Sequence, residues 1–108
     1  MNIEETRNYC LKKPNATEDM PFGEGVLAFR INGKIFLLTS LDQPDRFNVK
    51  CDPEKAVELR ELYEEVKPGF HMNKKHWNTV HVDGRLPKKE ILWMIDHSYE
   101  LVAGVKKK

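Results

Sequence analysis

The chain has 108 residues, a net charge of +1, 40% hydrophobic residues and 32% charged ones. That length is expected to form one soluble domain over residues 1–108, with enough core to need neither a disulfide nor a metal. The longest apolar run, residues 91–95, is far below the ~20 residues of a membrane span, and the acidic start Met1-Asn2-Ile3-Glu4-Glu5 lacks the basic and apolar stretches of an export signal. Two cysteines, Cys10 and Cys51, make no disulfide framework and read as buried free thiols. A cytoplasmic, non-membrane protein is expected.

Asn2 followed by Glu5 forms a capping box, with Ile3, Thr6, Cys10 and Leu11 at helical spacing and Pro14 as a stop. Residues 15–21 read as a loop in which Glu18 and Asp19 are turn residues or solvated charges. Residues 26–31 and 34–41 flank Asn32-Gly33, whose tolerance of positive φ makes it a strong two-residue hairpin signal. A plain hairpin pairs Ile31 with Lys34, Phe29 with Phe36 and Leu27 with Leu38. It sends Leu27, Phe29, Ile31, Phe36 and Leu38 to the core. Val26, Ala28, Arg30, Ile35, Leu37 and Thr39 then share the other face, which is too apolar to be bare. Residues 46–51 alternate, with Phe47, Val49 and Cys51 inward. Asp52-Pro53-Glu54 opens a second helix, with Ala56, Leu59, Tyr63 and Val66 as its buried stripe and Pro68-Gly69 as its end. Residues 77–82 form a strand with Val80 and Val82 inward. A third helix opens near Pro87, buries Ile91, Met94, Ile95, Leu101 and Val102, and ends at Gly104. The expected class is α+β: an antiparallel sheet with helices packed on one face.

Catalytic signals are sparse. Gly23-Glu24-Gly25 lacks a third glycine and precedes a strand, and neither cysteine has a CxxC partner or a neighbouring histidine. His71, His76 and His81 are spaced by five, which fits one face of neither a helix nor a strand, so they read as no metal site. No cofactor and no enzymatic activity are expected. Charge, however, is uneven: Lys67, Lys74, Lys75, Arg85, Lys88 and Lys89 crowd residues 67–90, and Lys106 to Lys108 add a basic tail. Within this stretch, FHMNKKHWNTV (70–80) combines cations for phosphates, amides and a hydroxyl for phosphate or base edges, and a tryptophan able to stack on an unpaired base.

MNKKHWNTV (72–80), the link Asp83-Gly84-Arg85-Leu86-Pro87 and IDHSYELV (95–102) resemble the MmcQ/YjbR family. Further matches in order are Arg7-Asn8-Tyr9-Cys10-Leu11, Pro14, Thr17-Glu18, Pro21-Phe22-Gly23, Gly33-Lys34-Ile35-Phe36 and Lys50-Cys51-Asp52-Pro53. The resemblance covers nearly the whole chain. It implies a frataxin-like (CyaY-like) two-layer sandwich and a DNA-binding role of the kind described as a double wing. Frataxins bind iron through an acidic first helix; here that helix carries Glu4 and Glu5 offset by Arg7, Lys12 and Lys13, which removes the converging oxygens a hard cation needs. The expected role is weak, non-catalytic nucleic-acid binding through Lys74, Lys75, His76 and Asn78, helped by Arg30, Lys50 and Arg85. The alternative is a module that binds a protein partner or small anionic ligand between the 71–78 loop and the sheet.

Overall fold

A computed structural model describes residues 1–70 and 72–104; His71 and the basic tail, both singled out by the sequence, lie outside the described residues. The elements in chain order are α1 (Ile3–Leu11), β1 (Thr17–Asp19), β2 (Val26–Ile31), β3 (Lys34–Ser40), β4 (Gln43–Lys50), α2 (Pro53–Leu62), β5 (Val66–Pro68), β6 (Trp77–His81) and α3 (Lys88–Ala103). The strands form one antiparallel sheet in the order β1-β2-β3-β4-β6-β5. Cys10 of α1, Ala56 and Leu59 of α2, and Ile91, Met94, Ile95 and Val102 of α3 share a core with Leu27, Phe29, Leu37, Phe47, Val49 and Val80 of the sheet. The molecule is therefore α+β, with its helices contributing to one face of the sheet. No helix among the described residues is long and apolar enough to cross a membrane.

The helix boundaries follow their caps. Asn2 and Glu5 make the reciprocal capping box of α1, Asp52 accepts the Lys55 N–H at the start of α2, and Gly104 closes α3 at φ +77°. Between β2 and β3, Asn32 and Gly33 both adopt positive φ, 54° and 78°, as a tight hairpin of this hand requires.

The hairpin departs from plain pairing after one step. Ile31 faces Lys34 and Arg30 faces Ile35, but Phe29 faces Leu37, so Phe36 is the extra residue of a bulge. The expected Phe29–Phe36 and Leu27–Leu38 pairs are replaced by Phe29–Leu37 and Ala28–Leu38. Phe36 and Leu37 are both fully buried in the helix-side core, Thr39 joins that side, and Leu38 moves to the opposite face. Phe36 packs edge-on to the Tyr99 ring, with centroids 5.4 Å apart. Ser98 of α3 serves this irregular segment: its hydroxyl donates to the Phe36 carbonyl at 2.5 Å and accepts the Lys50 N–H at 2.9 Å.

Three further expectations are corrected. The second helix stops at Leu62 because Tyr63 is already extended (φ −128°, ψ 125°), and Val66 belongs to β5, paired with Val80. The supposed loop at 15–21 contains β1, which pairs Thr17 with Arg30 and Asp19 with Ala28. Glu18 there binds Arg7 and Asp19 binds Arg30, so these carboxylates are ion-pair partners of separate arginines. Leu101, at 39% exposure, falls outside the buried stripe of α3.

Candidate functional site

The connection from β5 to β6 carries the MNKKHW segment, and several of its described residues are tied down by hydrogen bonds. Asn73 organises the turn: its side chain accepts the Lys75 N–H at 2.9 Å, and its carbonyl accepts those of His76 and Trp77. Gly69 bonds the Trp77 carbonyl at 2.9 Å. A Cβ at Gly69 would lie 2.8 Å from the Trp77 Cβ, so only glycine lets the loop approach β6 this closely. Arg60 of α2 donates to the Lys74 carbonyl, and the His76 carbonyl accepts the Cys51 N–H at 2.7 Å.

The basic candidates do not converge as one patch. Lys74 is exposed and donates to the Gly69 carbonyl at 3.1 Å, which leaves two of its ammonium protons for other acceptors. Lys75 is exposed beside Pro53 and Val57 of α2, on the helix side of the loop. His76 is half-buried at the same end of the sheet, and Lys50 is the cross-strand neighbour of Trp77. Arg85 follows the other end of β6, a strand length of about 13 Å or more away, where its N–H bonds Glu65. Arg30 lies three strands across the sheet, about 14 Å off, with its guanidinium on Asp19 and the Gly33 carbonyl.

Asn78 is a correction. It is 1% exposed and faces the helices as the partner of Val49. Its Oδ1 accepts Arg60 Nε at 2.7 Å and its amide reaches the Ala56 carbonyl at 3.5 Å. It ties β6 to α2 and presents nothing to a ligand. The alternation that sends Val80 inward sends Asn78 inward too, and that signal was present in the sequence.

The opposite, open face of the sheet holds a groove of about 420 Å³ between β3, β4, β6 and the loop. Leu38 and Trp77 form part of its floor and walls, and Phe22 and Phe70, 65% and 63% exposed, flank it. Phe70 is anchored through its backbone: its N–H donates to Thr79 Oγ1 at 2.9 Å, Thr79 donates to Asn48 Oδ1 at 2.5 Å, and the Asn48 amide reaches back to the Phe70 carbonyl at 3.4 Å. Lys67, paired with Thr79 and therefore on this face, is exposed at the β5 edge. The second face, expected to be partly covered, instead carries this open groove; Phe22 and Phe70 were missed because isolated aromatics in loops carry no periodicity.

A larger groove, about 780 Å³, runs along the helix side past Tyr9, Lys55, Trp93 and Asp96. Its charges are largely engaged within the protein. Lys55 pairs with Glu58 and lies over the Trp93 ring, Lys88 pairs with Glu5, and Asp96 holds both Tyr9 and Lys13. Burial pushes the Cys10 thiol up to about 12 and the Cys51 thiol up to about 11, opposite to what a nucleophile needs.

Residues 11–101 match the YjbR family model. The chain is 32% identical over 101 residues to the uncharacterised protein YjbR of Escherichia coli K12, covering 93% of this chain and 86% of that one. It is 36% identical over 100 residues to the uncharacterised protein YbdF of Escherichia coli O157:H7, covering 92% and 82%. The crystal structure of Deinococcus radiodurans protein DR2400, with a DUF419 domain, superposes with a TM-score of 0.89 at 34% identity, over 97% of this chain and 82% of that one. A Pseudomonas syringae crystal structure gives 0.82 at 29% identity, over 94% and 99%. With most of its length matched in sequence and in fold, the chain belongs to the YjbR family.

Proposed function

We propose that this protein is a non-catalytic cytoplasmic binding module that takes single-stranded nucleic acid on the open face of its sheet. The observation that carries this reading is the pair of exposed rings, Phe22 and Phe70, flanking an apolar groove whose lining cation is Arg46, with Lys50 and Lys67 on the same face of the sheet. Unpaired bases stack on aromatic faces with little regard to sequence, while ammonium groups follow the backbone. Arg46 lines the groove, Lys50 and Lys67 stand on the same face, and Lys74 belongs to the adjoining loop. Lys75 on the helix side and the distant Arg30 and Arg85 stand apart from it, His76 is peripheral, and Asn78 has no part in contact. Two buried thiols suit a reducing compartment.

Titration of an oligodeoxythymidine, followed by quenching of Trp77 fluorescence in a Trp93→Phe background, tests the proposal. Three phosphate contacts give a log–log salt slope near −2, so affinity should fall by about 20-fold between 50 and 200 mM salt. Lys50→Ala with Lys74→Ala should flatten that slope by about 1.4, and Phe70→Ala should cost about 1–3 kcal/mol at every salt concentration. Absence of binding at 50 mM salt, or duplex preferred over single strand, contradicts the proposal. The groove volume also suits a small amphipathic ligand or a peptide side chain; binding of such a molecule without a salt slope would favour that second reading.

A further inference from the structure

At the end of the sheet remote from the 72–77 loop, Asp45, His81 and Asp83 bring one carboxylate oxygen, one imidazole nitrogen and a second carboxylate oxygen to within 4.8 Å of one another. The backbone holds this arrangement. Asp45 of β4 accepts the Val82 N–H at 2.8 Å, and the His81 N–H donates to the Glu65 carbonyl at 2.8 Å. His81 is the last residue of β6 and Asp83 stands two residues on, in the bend that follows the strand. Gly84 lets the following turn fold tightly over Glu65, since a Cβ there would lie 2.7 Å from Glu65 Oε2. Arg46 donates to both Asp45 oxygens, at 3.3 and 2.8 Å, and orients the carboxylate while leaving lone pairs toward His81, whose Nδ1 is 4.0 Å from Oδ2.

We propose that Asp45, His81 and Asp83 form a binding site for a divalent first-row transition ion, zinc in the first instance. An imidazole with two carboxylates suits zinc, cobalt or manganese better than calcium, which prefers all-oxygen shells, or copper(I), which prefers sulfur. Metal–ligand distances of about 2.0–2.2 Å place neighbouring ligand atoms roughly 3.3 Å apart in a tetrahedral shell. Binding would have to draw ligand atoms that now lie within 4.8 Å of one another to that spacing, and Asp83, the exposed member, is the one with room to move. Solvent completes the coordination. The ligand set is separate from the acidic first-helix chemistry of frataxins, and it does not include His76, which lies at the other end of β6.

Calorimetric titration of zinc into untagged, metal-stripped protein, with cobalt absorption in parallel, tests this site. One equivalent should bind in the micromolar range and raise Tm. His81→Ala should weaken binding by at least about 100-fold and Asp83→Asn by about tenfold, while His76→Ala should leave it unchanged. No saturable binding below millimolar metal, or an affinity indifferent to both His81→Ala and Asp83→Asn, overturns the proposal. If His81→Ala fails to fold, Asp83→Asn, a change at an exposed position, decides the matter alone.

Discussion

Asn78 illustrates how a polar residue in a basic, hydrogen-bonding segment can serve the scaffold. Both ends of its amide are engaged, by Arg60 and by the Ala56 carbonyl, beneath α2. Asn78→Ala leaves Arg60 without its side-chain acceptor in a part-buried setting, and should cost about 1–3 kcal/mol in a denaturant titration. The salt slope of nucleic-acid binding should not move; a changed slope at unchanged stability would return Asn78 to the binding surface. A second residue-level consequence concerns pH. Burial raises Cys10 from 9.0 to about 12 and Cys51 to about 11, and burial with a hydrogen bond to Asp96 raises Tyr9 from 10.0 to about 12. An acid held protonated in the fold binds its proton more tightly there than in the unfolded chain. The contribution of these three groups is therefore complete below about pH 8 and is lost between about pH 9 and pH 12, where unfolding releases protons. Thermal melts across that range, with thiol labelling that tracks unfolding, check both points. Rapid labelling of the native protein at neutral pH would contradict the burial argument.

At the scale of elements, the bulge at Phe36 is the decisive feature. It places Phe36 and Leu37 side by side in the core and delivers Leu38 to the groove of the open face. Ser98 is the α3 residue that bonds this segment, through the Phe36 carbonyl and the Lys50 N–H. Ser98→Ala removes a buried hydroxyl with two partners and should destabilise the fold by about 1–3 kcal/mol. Ser98→Thr should not restore full stability, because a fully buried site must accommodate an extra methyl group. Full stability in Ser98→Ala would mean that the bulge is held by packing alone. Elements with a chemical marker were legible beforehand: the capping box at Asn2, Asp52-Pro53, Asn32-Gly33 and Gly104 each set a boundary that the structure keeps. The bulge was not legible, because Phe36, Leu37 and Leu38 are all apolar and alternation loses its meaning in such a run. β1 and β5 were missed for a related reason. Each has three residues, too few for periodicity, and each exists through pairing with the next strand across a loop that carries no hairpin signal.

For the molecule as a whole, the helices and the open face divide the work. α1, α2 and α3 seal one side with a continuous apolar core, and the helix-side cations are largely paired within the protein. The other side retains exposed rings and a groove lined by Arg46, with Lys50 and Lys67 on the same face. The basic character of residues 67–90 was plain in the sequence, but its distribution was not. Lys74 and Arg85 sit at opposite ends of β6, and only the fold brings Lys50 and Lys67 to the same face as Phe22 and Phe70. The central claim is that this face, and not the helical one, binds single-stranded nucleic acid. Amide chemical-shift mapping during titration of an oligodeoxythymidine tests it most directly. The account predicts saturable shifts at Phe22, Asn48, Phe70, Trp77 and Thr79, with Trp93 and the rest of the α2–α3 surface unmoved. Shifts concentrated on α2 and α3, or a spectrum unchanged at low salt, would contradict it.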